Sequence, residues 1–99
     1  MPIRERIHGF LNQRAVDEMA HLAGVELDRG GSLNVEVGEG AKRRYLNITK
    51  ENMQETMPKL LEILKEPRET RESIKFTILD REHQKTDGFT AEVKSRKLP

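Results

Sequence analysis

The stretch Ile3-Arg4-Glu5-Arg6-Ile7-His8-Gly9-Phe10-Leu11-Asn12-Gln13-Arg14-Ala15-Val16-Asp17-Glu18-Met19-Ala20-His21-Leu22-Ala23-Gly24 decides how the chain folds. Wound as one helix, it puts Ile3, Ile7, Phe10 and Leu11 on one side. Val16, Met19, Ala20 and Ala23 fall more than about 100° away, and a single helix cannot offer both sets to one core. The stretch therefore divides. Asn12 is a good N-cap residue, and Val16, Met19, Ala20 and Ala23 follow at i, i+3, i+4 and i+7, so a helix is expected over 12–24. Its polar face carries Arg14, Asp17, Glu18 and His21, and Gly24 supplies a C′ stop. Residues 3–10 then form a separate element. They are either a strand with Ile3, Glu5 and Ile7 on one side, which is the preferred reading, or a short helix opened by Pro2 and ended by Gly9.

Working outward, Asp28-Arg29-Gly30-Gly31-Ser32 is a turn cluster. Leu33, Val35 and Val37 alternate with Asn34 and Glu36, which predicts a half-buried strand. Gly38-Glu39-Gly40 reverses the chain, and Leu46 and Ile48 point inward on the return strand. A second helix is expected over 50–66 with Thr49 as N-cap. Met53, Met57, Leu60, Leu61 and Leu64 make its stripe, which runs unbroken through Pro58 and so favours a kinked helix over one that begins near Thr56. Ile74, Phe76 and Ile78, then Phe89, Ala91 and Val93, alternate with polar residues. They predict a second hairpin over 74–94, closing at Asp87-Gly88.

This order predicts an α+β two-layer sandwich, with an antiparallel sheet of four or five strands and two helices on one face. With residues 3–10 as a strand, the order is βαββαββ, a ferredoxin-like arrangement with one added strand. With them helical it is a permuted variant, ααββαββ. Ninety-nine residues suit one domain over 1–99, with 95–99 as a fraying tail.

Composition narrows the function. Eighteen basic residues almost cancel seventeen acidic ones, so any grip on nucleic acid must come from a local patch. There is no cysteine, hence no disulfide framework, thiolate nucleophile or thiolate metal site. The N-terminal residues carry no apolar run of signal-peptide type and no stretch has membrane-span length, so a cytoplasmic protein without membrane contact is expected.

Lys42-Arg43-Arg44-Tyr45 is the strongest candidate binding cluster. Three cations at a hairpin tip, followed by the only tyrosine, could hold phosphates and stack a base. A solvated hairpin end would carry the same residues, since charge keeps turns soluble. Lys94, Arg96 and Lys97 could extend the patch. The open sheet face is expected to show Asn34, Glu36, Tyr45, Asn47, Lys75, Thr77, Thr90 and Glu92. It offers one aromatic where single-strand RNA-binding sheets use two or three. Ala20, Gly24 and Val25 have the rhythm of the first half of a helix-turn-helix, but Gly30-Gly31 and the alternation of 33–37 oppose a second helix.

Asp17 and His21 at i, i+4 read as a surface ion pair before a metal site, and the acids around His83 lack calcium-loop spacing. Asn47-Ile48-Thr49 matches a glycosylation sequon, but Thr49 is better explained as a cap. No nucleophile–base pair or phosphate-cradling loop stands out. The expectation is a non-enzymatic interaction module with no cofactor and no metal, binding a protein partner or forming a homodimer. Nucleic-acid binding by the 42–45 tip is the alternative.

Overall fold

Asn12 caps the first helix as its residue type predicts: its side-chain oxygen accepts from the Ala15 N–H at 2.9 Å. In the computed structural model, which describes residues 4–95 and the side chains from residue 9 onward, the elements are β1 (Arg4–Phe10), α1 (Gln13–Asp28), β2 (Ser32–Val37), β3 (Arg44–Ile48), α2 (Met53–Lys65), β4 (Glu72–Leu79) and β5 (Lys85–Val93). Residues 3–10 are thus a strand over their described part. The tail expected at 95–99 lies outside the described residues beyond Ser95.

Helix α1 does not stop at Gly24. It continues for another turn because Leu27 extends the buried stripe, which is Ala15, Met19, Ala23 and Leu27, spaced four apart. Ala20, expected inside, is exposed. The true end is at Gly30-Gly31. Gly30 takes φ 93°, its N–H donates to Leu27 O at 3.2 Å, and the Gly31 N–H donates to Glu26 O at 2.7 Å. This is a Schellman closure, which needs a left-handed residue at Gly30.

Helix α2 begins later than expected, at Met53 with Asn52 as N-cap, and runs through Pro58 to Lys65. Residues 49–52 form a turn ahead of it. There the Thr49 N–H donates to Asn52 Oδ1 at 2.7 Å and the Asn52 N–H donates back to Thr49 Oγ1 at 3.2 Å. Thr49 is a capping partner one turn outside the helix.

The sheet is mixed, not antiparallel throughout. Its order is β1-β5-β4-β2-β3, and β1 runs parallel to β5 while every other pair is antiparallel. A strand joined to its sheet by a helix rather than a hairpin is free to run parallel. Two split β-α-β connections follow. β1 reaches β2 through α1 across β5 and β4, and β3 reaches β4 through α2 across β2. The strands of the second unit point down where those of the first point up, and its step across the sheet is reversed. One unit is therefore the other turned half-way about the sheet normal. Right-handed crossovers for both put both helices on the same face.

That face holds the core. Ile48, Ile74, Ile78, Val35 and Val37 are the largest fully buried side chains. Phe76 lies opposite Val35 on one side and Phe89 on the other. Met19 and Ala23 of α1 and Leu60 of α2 close over them, with Leu46, Leu64 and Val93 packed at the margin.

The second hairpin turns earlier than expected, at residues 80–84. Asp80 organises it: its carboxylate accepts from the Glu82 and Gln84 N–H groups, both at 2.9 Å, and its own N–H donates to Gln84 O. The left-handed position falls to His83, at φ 65°. Asp87 and Gly88 lie inside β5.

Candidate functional site

The hairpin tip between β2 and β3 is built on Gly38, at φ 86°, whose N–H donates to Ser73 O at 3.0 Å. A single 3₁₀ turn, Gly40–Lys42, then delivers the chain to β3. From there the period of two in an extended chain sorts the basic residues. Arg43 and Tyr45 go to the open face and Arg44 to the helix side.

Each arginine has a carboxylate. Arg43 Nη1 lies 3.1 Å from Glu36 Oε1, and its guanidinium carbon sits 4.8 Å from the centre of the Tyr45 ring. Arg44 donates to Glu66 at the end of α2. Lys42 is exposed in the turn. The four residues Lys42, Arg43, Arg44 and Tyr45 are thus neighbours in sequence divided between two faces. Only Arg43 and Tyr45 act as one unit, with Tyr45 60% exposed. Arg96 and Lys97, expected to extend the patch, lie outside the described residues; Lys94 lies within them.

Lys94 leads to a residue that the sequence did not single out. Phe10, at the end of β1, stands opposite Glu92 and is 39% exposed. Lys94 Nζ lies 5.0 Å from the centre of its ring. The open face therefore has an aromatic ring with a cation over it at each margin, Tyr45 on β3 and Phe10 on β1. Between them the register runs Tyr45, Glu36, Lys75, Thr90 across β3, β2, β4 and β5. A hollow of about 300 Å³ opens here, lined among others by Glu36, Arg43, Ser73, Lys75 and Thr90. Below it, Asn47 of β3 donates to Asn34 of β2.

The remaining candidates have ordinary structural explanations. Asp17 accepts from the Gln13 side chain at 2.7 Å, four residues before it. Among the described residues no group of three or more His, Asp or Glu side chains is arranged to hold a metal ion. After Gly30-Gly31 comes β2 and not a second helix, so the helix-turn-helix rhythm ends with α1. Among them, too, no helix is long and apolar enough to cross a membrane.

A second exposed feature lies on the helix side. Of the stripe expected on α2 only Leu60 is buried. Met57 is 39% and Leu61 49% exposed, one turn apart. The helix carries more apolar surface than the sheet beneath it covers.

Compared with known protein families, curated proteins and solved structures, the chain matches none.

Proposed function

We propose that this protein is a small non-enzymatic interaction module that engages a protein partner, or a second copy of itself, through the flank of α2. The observation that carries this reading is the exposure of Met57 and Leu61 side by side at i, i+4 on an otherwise core-facing stripe. A single exposed leucine on a surface is ordinary. Two adjacent large apolar residues continuing a stripe that packs on the core form a ready contact. Full burial of such side chains is worth about 1.5–3 kcal/mol each. These two are already half covered, so together they offer about 1.5–3 kcal/mol. That suits a hot spot within a modest or transient interface better than an obligate dimer. The alternative, the 42–45 tip gripping phosphates, is weakened by Glu36 and Glu66, which already neutralise its arginines.

The test is to measure association with and without the flank. Light scattering and sedimentation over a range of concentrations report self-association, and affinity capture from the source lysate reports partners. The Met57→Lys, Leu61→Lys double variant should lose the association while lowering the melting temperature only modestly, because about half of each side chain is exposed. A strict monomer that recovers no protein would sink the reading. So would an association that the double variant leaves intact.

A further inference from the structure

The sheet face opposite the helices carries features of a different kind. The geometry points to single-stranded nucleic acid as the ligand of this open face, with Tyr45 and Phe10 as stacking platforms at its two margins. Each ring is exposed and has a cation over it, Arg43 at 4.8 Å and Lys94 at 5.0 Å from the ring centres. Four inter-strand steps separate β3 from β1 in the sheet order, which is about 19 Å at 4.8 Å per step. The rings are thus far enough apart to take different bases of one strand. Stacking on such platforms tolerates any base, because every base has a π-face.

The charge between them has the right sign. Among the described side chains, Arg43, Arg71, Lys75 and Lys94 stand against Glu36 and Glu92, four cations to two carboxylates, on or beside this face. On the rim Lys42 offsets Glu39. The whole chain is only +1, so this surplus of two is local. Lys75 is exposed at the centre of the face, in cross-strand register with Glu36 and Thr90. Since Glu36 is held by Arg43, Lys75 is available to a phosphate. Ser73 and Thr90 add hydroxyls in the same hollow. A duplex could not use this surface, because its bases are already stacked on one another. The face is on the opposite side of the sandwich from α2, so the two surfaces can be tested independently.

Tyr45 is the only tyrosine and the chain has no tryptophan, so intrinsic tyrosine fluorescence reports this one ring. Labelled oligo(U) and oligo(dT) of about twelve nucleotides are titrated at low salt, with a duplex of the same length as control. Either single strand should quench Tyr45 and bind more tightly than the duplex, with affinity that falls as salt is raised. Tyr45→Leu and Phe10→Leu should each weaken binding by about 5- to 150-fold. Lys75→Gln should weaken it by a smaller factor and flatten the salt dependence. Equal or tighter duplex binding, or no quenching at saturation, would overturn the proposal. Should either leucine variant fold poorly, Lys75→Glu on the unaltered rings decides: affinity that survives it places the ligand elsewhere.

Discussion

Arg68→Met is the sharpest probe of what holds α2 in place. The Arg68 side chain is only 6% exposed. Its Nε donates to Glu72 Oε1 at 2.8 Å, its Nη2 to Ile63 O at 2.6 Å and its Nη1 to Leu64 O at 3.3 Å. One guanidinium thus ties the last turn of α2 to the first residue of β4. A buried acceptor left without a donor costs about 1–3 kcal/mol. The Leu64 bond is long and Glu72 is 23% exposed, so both fall at the low end. Ile63 O keeps a weak contact from the Glu66 N–H at 3.4 Å. The three losses sum to about 3 kcal/mol, at the lower bound for breaking a buried ion pair. A domain of this size has about 5–15 kcal/mol in all. The melting temperature should drop by about 12–24 °C. Urea unfolding followed by circular dichroism should show a lower midpoint at unchanged slope. Glu72→Gln keeps an acceptor in place and should cost about 1 kcal/mol. The double variant should cost less than the sum of the two. An Arg68→Met protein within about 0.5 kcal/mol of the parent would refute the assignment of this side chain as the tie.

Two glycines should respond in opposite ways. A Cβ on Gly31 would stand 2.2 Å from Leu79 O and 3.0 Å from Glu26 O, both backbone atoms, so Gly31→Ala should cost about 3 kcal/mol or more in urea titration. Gly24 lies inside α1 with nothing within 4 Å of its Cβ position, and Gly24→Ala should stabilise by about 0.5–1 kcal/mol. Pro58→Ala restores a backbone donor in the interior of α2 and should stabilise by up to about 3 kcal/mol; thermal melting checks it, and a destabilised variant would mean that the ring itself packs.

Much of the fold was legible because the period of the apolar residues changes cleanly. Leu33, Val35 and Val37, then Ile74, Phe76 and Ile78, announce strands, and Asn12 announces a helix start. The end of α1 lies beyond the one expected because Gly24 has the residue type of a stop. Burial of Leu27 outweighs its helix penalty, and the Gly30-Gly31 pair closes the helix better. Strand order was not legible: nothing local to β1 says that it will pair with β5. The split of Arg43 and Tyr45 from Arg44 follows from simple alternation and was available from the sequence. Phe10 was not. Between Ile7 and Phe10 the register with β5 slips, so that three steps on β1 answer two on β5, from Thr90 to Glu92. Alternation counted along β1 is broken at that slip, so it does not place Phe10. On α2, periodicity gave the stripe, but the area of sheet left to cover it depends on where the helix lies.

The pairing of β1 with β5 has a consequence for synthesis. Within the described sheet, residues 4–10 have residues 87–92 as their only neighbours. On the ribosome the first strand therefore emerges with nothing to zip onto. The β2–β3 hairpin, α2 and β4 can assemble behind it, but β1 stays an open template until β5 has left the exit tunnel. Long-range closure of this kind slows folding and leaves an unpaired segment exposed meanwhile. The alternating charges of Arg4, Glu5 and Arg6 on that waiting segment are the kind of sequence that keeps it from pairing with a neighbouring nascent chain.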